Sequence, residues 1–205
     1  FAISKGTSAG LSSLIVSIHP ILTCFLAVIL IKESITTEKW IGIFLGFFGM
    51  IIVIWPRLGG ELPLIGFLSC CIALTAISFG TVIQKRYLEH MDILGGNTIQ
   101  AISAAIFFTI VLYFIEPFKF NFTVNLFISM SWLILMVSIG AISILMLLIS
   151  RGKMSSTASL FFLAPPVSAI LGYFIFKEEL NTFGIIGFII TCTGVWLVNR
   201  EVKKY

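Results

Sequence analysis

The sequence predicts an all-α polytopic membrane protein with about seven transmembrane helices, and three observations carry that reading. Hydrophobic residues make up 59% of the chain and charged residues 11%, with a mean hydropathy of +1.12. A soluble domain carries about 25% charged residues because its surface must face water. Second, the apolar residues gather into runs long enough for a hydrocarbon slab about 30 Å thick, separated by short charged clusters. A membrane β-barrel would alternate polar and apolar residues in segments of about ten, and the sequence shows no such alternation. Third, one phrase is written twice. HPILTCFLAVILIKES at 19–34 and APPVSAILGYFIFKEE at 164–179 each place a proline, an apolar run and then Lys-Glu.

The charged breaks set off seven spans in order, near 8–31, 40–55, 64–83, 98–115, 125–149, 157–176 and 183–198. The first holds His19 and Pro20 about midway along. The second and seventh are short for a span and are expected to gain a turn at each end. The third carries Thr75 and Ser78 at helical spacing. The fifth has length to spare for tilting. The sixth contains Pro165 and Pro166. The four cysteines (Cys24, Cys70, Cys71 and Cys192) all fall within spans, where a thiol behaves as a small hydrophobe. Their spacing suggests neither a zinc site nor a disulfide framework.

Lysine and arginine placement sets the expected orientation. Taken alternately from the chain start, one set of loops holds four of them (Lys5, Arg57, Lys119 and Lys177). The other holds nine (Lys32, Lys39, Lys85, Arg86, Arg151, Lys153, Arg200, Lys203 and Lys204). The richer set is expected in the cytoplasm, which puts the C-terminus there. This bias accounts for the net charge of +4 without a nucleic-acid partner. The chain begins at Phe1 with no signal peptide and is expected to be a fragment.

Pro20 and Pro165 lie 145 residues apart, and other residues pair at the same offset. These are Leu26 with Leu171, Lys32 with Lys177, Glu33 with Glu178, Thr37 with Thr182, Ile41 with Ile186, Gly42 with Gly187 and Gly49 with Gly194. The residue types matter more than their number, since proline, glutamate and glycine have special backbone or charge roles. From the first span to its counterpart, the sixth, the chain crosses the membrane an odd number of times. The second copy therefore runs in the opposite direction, an inverted repeat of the kind from which many secondary transporters are built. A repeat of this length implies a ten-helix, five-plus-five parent whose first three spans lie outside this chain.

Over essentially its whole length the chain resembles the EamA-type transporters of the drug/metabolite transporter superfamily. SAGLSSLIVSIHPILTCFLAVILIKESITTEKWIGIFLGFFGMIIVIWP is similar to the last two helices of that family's first unit. LPLIGFLSCCIALTAISFGTVIQKRY is similar to the opening helix of the second unit, and 157–198 to its end. The resemblance divides the chain into 1–56, the end of the first repeat; 62–199, the second repeat; and 200–205, a cytoplasmic tail. It implies ten helices, cytoplasmic termini and a central substrate cavity lined by the first, third, fifth and sixth spans.

Within that frame particular residues stand out. Intramembrane ionisable groups usually face the protein interior or a water-filled cavity, so His19, with Thr23 one turn on, is the leading candidate for a substrate or proton role. The alternative is a neutral imidazole hydrogen-bonded to a neighbouring helix. Thr75, Ser78, Ser138 and Ser168 are further candidates for a cavity wall. Pro20, Pro165 and Pro166 are expected to kink their helices and free the carbonyls of Val16, Phe161 and Phe162, as a hinge or as a structural bend. Gly42, Gly46 and Gly49 in the second span are expected to form thin faces for close helix packing. Gly184, Gly187 and Gly194 in the seventh span, and Gly172 in the sixth, are expected to do the same. Packing within the protomer is the first reading, with a homodimer seam as the alternative. Glu33 is expected to mark an interfacial turn and cap the helix that follows it.

An enzyme is disfavoured: there is no HExxH, GxSxG or glycine-rich phosphate loop, and Asp92 is the single aspartate. No catalytic residue, metal or cofactor is expected. Two functions remain open. One is a secondary transporter of a small organic metabolite or drug-like solute, in a bacterial plasma (inner) membrane, working by alternating access of the repeats. The other is a non-transport membrane subunit of a lipid- or envelope-modifying complex. The partners expected are a small-molecule substrate and the lipid bilayer.

Overall fold

In hydrocarbon a spanning segment must satisfy its own backbone groups, so these apolar runs fold as helices. The computed structural model describes residues 6–7, 9–55, 63–88, 92–115, 123–176 and 182–200. Among them seven helical stretches are long and apolar enough to cross a membrane, and none of the described residues is in a strand. The chain is an all-α polytopic membrane protein.

The helices are α1 (Ala9–Val16), α2 (His19–Leu30), α3 (Thr37–Ile54), α4 (Leu64–Leu88), α5 (Ile93–Ile115) and α6 (Val124–Trp132). After a π-helix (Leu133–Ala141) come α7 (Ile142–Arg151), α8 (Met154–Ser159), a 3₁₀ turn (Leu160–Leu163), α9 (Ala164–Phe176) and α10 (Thr182–Asn199). The short second span gains three residues at its start, and its end falls at Ile54. The third runs on to Leu88 and the fourth begins at Ile93, so Asn97 and Gln100 are helical.

Both proline-bearing spans are broken. The first divides at Ser17–Ile18, between α1 and α2, and the sixth divides at the 3₁₀ turn between α8 and α9. In each, the proline is the second residue of the helix after the break, a position where its missing N–H costs no helical bond. Tightened turns close the breaks. Ile18 N–H donates to the Ile15 carbonyl at 3.2 Å and Ile21 N–H to Ile18 at 3.0 Å. In the sixth span Ala164 N–H donates to Phe161. The expectation that the Phe161 carbonyl is freed is therefore corrected, because a 3₁₀-type bond takes it up.

The chain forms two compact units, Phe1–Ile83 with Gly152–Tyr205, and Gln84–Arg151. These cut across the division read from sequence because α10 packs back on α3. That pair makes the most extensive helix–helix contact in the first unit, and glycines make it. A Cβ on Gly42 would stand 2.8 Å from the Gly194 carbonyl oxygen and 2.8 Å from Val198 Cγ2. A Cβ on Gly187 would stand 2.6 Å from the Gly49 carbonyl oxygen and 2.7 Å from Val53 Cγ2. The second set is the first displaced by 145 residues, so the seam repeats itself about a pseudo-two-fold relation. Gly46 seats the Phe162 ring, with a Cβ there 2.9 Å from Phe162 Cδ2. Phe162 joins Cys24, Ile43, Met50, Ile54, Ala158, Val195 and Val198 in the buried core. Gly184 is a correction: a Cβ there would meet nothing within 4 Å, so it lies off the seam. Gly172 lies in α9, but its packing, like Lys177 and Glu178, lies outside the described residues.

In the second unit α5 packs on α7. Asp92 Oδ2 accepts from Gly95 N–H at 3.0 Å at the start of α5, and Gln84 pairs with Gln100 at 3.3 Å. Lys85 Nζ donates to the Ser150 carbonyl at 3.0 Å, a cation at a helix C-terminus where the dipole favours it. The nine-residue π-helix was not legible in the sequence. Asn97 Nδ2 donates to the Ser138 carbonyl within it at 3.1 Å and to Ser143 Oγ at 3.3 Å, so a neighbouring helix engages its backbone. Ile99, Ile102, Ile106, Phe107, Phe108 and Ile110 of α5 are all exposed, an outer surface suited to lipid and not to water.

Candidate functional site

His19 opens α2 at the break of the first span and is 3% exposed. Its Nε2 lies 3.4 Å from Thr81 Oγ1 on α4. The Thr81 hydroxyl gives its own proton to the Ile77 carbonyl at 2.6 Å. Thr81 can therefore only accept from the ring, which fits a proton on Nε2 and leaves Nδ1 as an acceptor. The imidazole meets Phe161 edge-on, with centroids 5.0 Å apart and planes at 80°. Phe161 belongs to the 3₁₀ turn of the sixth span, so the two helix breaks meet at this ring pair. Discontinuous helices at such a meeting point are how many transporters present polar backbone and side chains to a solute.

Two further hydroxyls lie one helical turn from these residues. Thr23 follows His19 by one turn on the same face of α2, and Ser78 precedes Thr81 by one turn on α4. Both are 0% exposed, and neither Oγ has a hydrogen-bond partner. A buried hydroxyl without a partner costs free energy unless something supplies one, so these are places where a polar ligand or a water would be welcomed. Ser12 Oγ on α1 is likewise buried without a partner.

The other sequence candidates are placed differently. Thr75 is exposed and spends its hydroxyl on the Cys71 carbonyl at 2.7 Å, so it does not join Ser78 although it lies one turn away on α4. Ser168 is exposed on α9. Ser138 lies in the π-helix of the second unit, where its carbonyl accepts from Asn97. Thr81 and Phe161 were missed as contacts of His19. Thr81 had a signal, since it shares a face with Ser78; an aromatic in an apolar run has none.

Glu33 supplies the largest correction. It does not cap the helix that follows it, whose N-cap residue Thr36 makes no side-chain cap bond. Its carboxylate instead caps α8. Oε2 accepts from Met154 N–H at 2.8 Å, and Oε1 accepts from Ser155 N–H at 3.1 Å and Ser155 Oγ at 2.7 Å. The chain leaves α2 through Lys32 at φ 53°, and Glu33 N–H turns back to the Ala27 carbonyl at 3.1 Å. That turn carries Glu33 away from α3. Nearby, Lys39 Nζ lies 3.4 Å from Ser156 Oγ.

The EamA-like transporter family matches residues 1–55 and 64–200. Among relatives, the "uncharacterized transporter YvbV" of Bacillus subtilis (strain 168) is 26% identical over 95% of this chain and 64% of its own length. An S-adenosylmethionine uptake transporter of Rickettsia prowazekii (strain Madrid E) is 28% identical over 90% of this chain and 61% of its own. The chain thus spans less than two thirds of these relatives. A solved crystal structure superposes with a TM-score of 0.79 at 16% identity, covering 94% of this chain and 67% of that one; the likeness is one of fold.

Proposed function

The chain belongs to the EamA-like transporter family, and from that premise we propose that its protein is a secondary-active transporter of a small organic solute. It works by alternating access of two inverted repeats, with a site at His19. Relatives named as transporters support transport over a non-transport membrane subunit. Matching boundaries support the repeat: α1 and α8 begin at Ala9 and Met154, α2 and α9 at His19 and Ala164, and α3 and α10 at Thr37 and Thr182. Each pair is offset by 145 residues. In this reading 1–56 ends the first repeat and 62–199 is the second. The charge bias puts the C-terminus in the cytoplasm of a bacterial cell. Pro20, Pro165 and Pro166 fix where each span breaks and so where it bends. Because Gly42, Gly49, Gly187 and Gly194 face one another within the chain, that face needs no second copy to cover it.

The observation that carries the site is the meeting of both breaks at His19 and Phe161, with two buried, unpartnered hydroxyls one helical turn along α2 from His19 and along α4 from Thr81. The solute would be held by hydrogen bonds from Thr23 and Ser78 and by the imidazole Nδ1, with the Phe161 ring excluding water. The test is uptake by the full-length protein in vesicles, with labelled S-adenosylmethionine as the first probe, followed by amino acids and nucleosides. His19→Ala should lower the rate much more than the folded yield. His19→Gln keeps a hydrogen-bonding side chain and should retain more of the rate than His19→Ala. Wild-type rate in both variants would make His19 a packing residue and remove this site.

A further inference from the structure

Among the contacts between the two sequence-related halves of the first unit, two helix pairs differ physically. Along α3 and α10 the joint is backbone against backbone through glycines. Between α2 and α8 a single carboxylate adds a polar tie to the apolar packing of Cys24 and Ala158. Glu33 receives Met154 N–H, Ser155 N–H and Ser155 Oγ at 2.8, 3.1 and 2.7 Å, across 121 residues of sequence from its nearer partner. Both oxygens are engaged. This end of the unit also carries Lys32, Lys39 and Lys153. Charge-assisted bonds of this kind are strong while they last. At a membrane–water boundary each can be exchanged for water at small net cost. The glycine seam has no such substitute partner in lipid.

We propose that Glu33 is a latch between the repeats. In this structure it holds one membrane face shut. Opening of that face requires the carboxylate to leave Met154 and Ser155, so that α2 parts from α8 while α3 and α10 stay together. The strained Lys32 turn holds the carboxylate at the end of α2, so the latch moves with that helix. The inference rests on the alternating-access reading above and adds to it which contact breaks and which persists.

A native reporter lies beneath the latch. Cys24 on α2 is 0% exposed and packs in the same core as Ala158 of α8, so it should become reachable when the two helices part. In the full-length protein with every other cysteine replaced, N-ethylmaleimide alkylation of Cys24 is timed for wild type, Ser155→Ala, Glu33→Gln and Glu33→Ala. Loss of one bond to a charged acceptor should speed labelling by about tenfold in Ser155→Ala, and the glutamate variants should be faster still. A second reporter, Thr191→Cys in a Cys24→Ala background, sits in the glycine seam at 0% exposure and should stay unreactive in all of them. Unchanged Cys24 labelling in Glu33→Gln overturns the latch. Parallel acceleration at position 191 also overturns it, since Glu33 would then be holding the whole fold together. Uptake measured alongside separates the two readings. Accelerated Cys24 labelling in a protein that moves no solute would retire transport and keep the latch. Unchanged labelling with intact uptake would retire the latch alone.

Discussion

Gly49→Ala adds one methyl group to the α3–α10 seam, and the geometry states its consequence. The new Cβ would stand 2.5 Å from Thr191 N, 2.6 Å from Thr191 Oγ1 and 2.8 Å from the Gly187 carbonyl oxygen, whereas ordinary contact begins at 3.4 Å. The helices must therefore separate by about 0.9 Å (3.4 minus 2.5), and a gap of that size forfeits roughly a quarter to a half of each dispersion contact along the seam. Overpacking costs about 1–3 kcal/mol, and because the obstructing atoms include backbone that cannot rotate away, the upper end applies. Alanine's helix preference returns up to about 1 kcal/mol, leaving a net loss of about 2 kcal/mol. Gly184→Ala on α10 is the internal control, since its Cβ would meet nothing within 4 Å. It keeps the preference without the clash and should be neutral or slightly stabilising. Gly194→Ala, the repeat counterpart of Gly49, meets the Gly42 carbonyl oxygen at 2.7 Å and Gly46 Cα at 2.8 Å and should cost as much as Gly49→Ala. Gly49→Ala and Gly187→Ala combined should cost less than their sum, because one separation accommodates both methyls. The assay is equilibrium unfolding in mixed micelles followed by helical circular dichroism. If Gly49→Ala and Gly184→Ala unfold together, the seam is not a close backbone contact and the reasoning fails.

Two further outcomes follow from other parts of the molecule. Asn97→Ala should lower stability by about 1 kcal/mol, in the range of interhelical hydrogen bonds within membranes, and should speed amide exchange over 133–141; unchanged exchange there would mean that Asn97 does not hold the π-helix. Thr37 and Thr182 are both exposed at helix starts 145 residues apart, and the proposed inverted repeat would put them on opposite membrane faces. A cysteine at Thr182 should react with an impermeant maleimide in intact cells, and one at Thr37 only after permeabilisation. Reaction of both from one side refutes the inversion, and swapped accessibility refutes the orientation.

The seven spans and their order were legible in the sequence, and Pro20 and Pro165 marked where two of them depart from a straight helix, read there as kinks and found as breaks. Lipid demands an apolar run of fixed length, and Pro20 and Pro165 can open a helical segment but not sit within one without loss. The glycine seam was legible as a set of small residues, and His19 as a polar group too costly to leave facing lipid. Tertiary structure alone decided which residues these meet. Gly184 read like Gly187 yet faces open space, Thr75 read like Ser78 yet is exposed, and Glu33 passed over its neighbouring helix for one 121 residues away. In a soluble helix the contrast between apolar and polar faces reveals how it is rotated. A helix in lipid is apolar on both its buried and its outer face, so its sequence records that it crosses the membrane but only faintly which side turns inward. That rotation is set by the fit of one helix against the next, here by whether two glycines come backbone to backbone and whether a carboxylate reaches two free N–H groups.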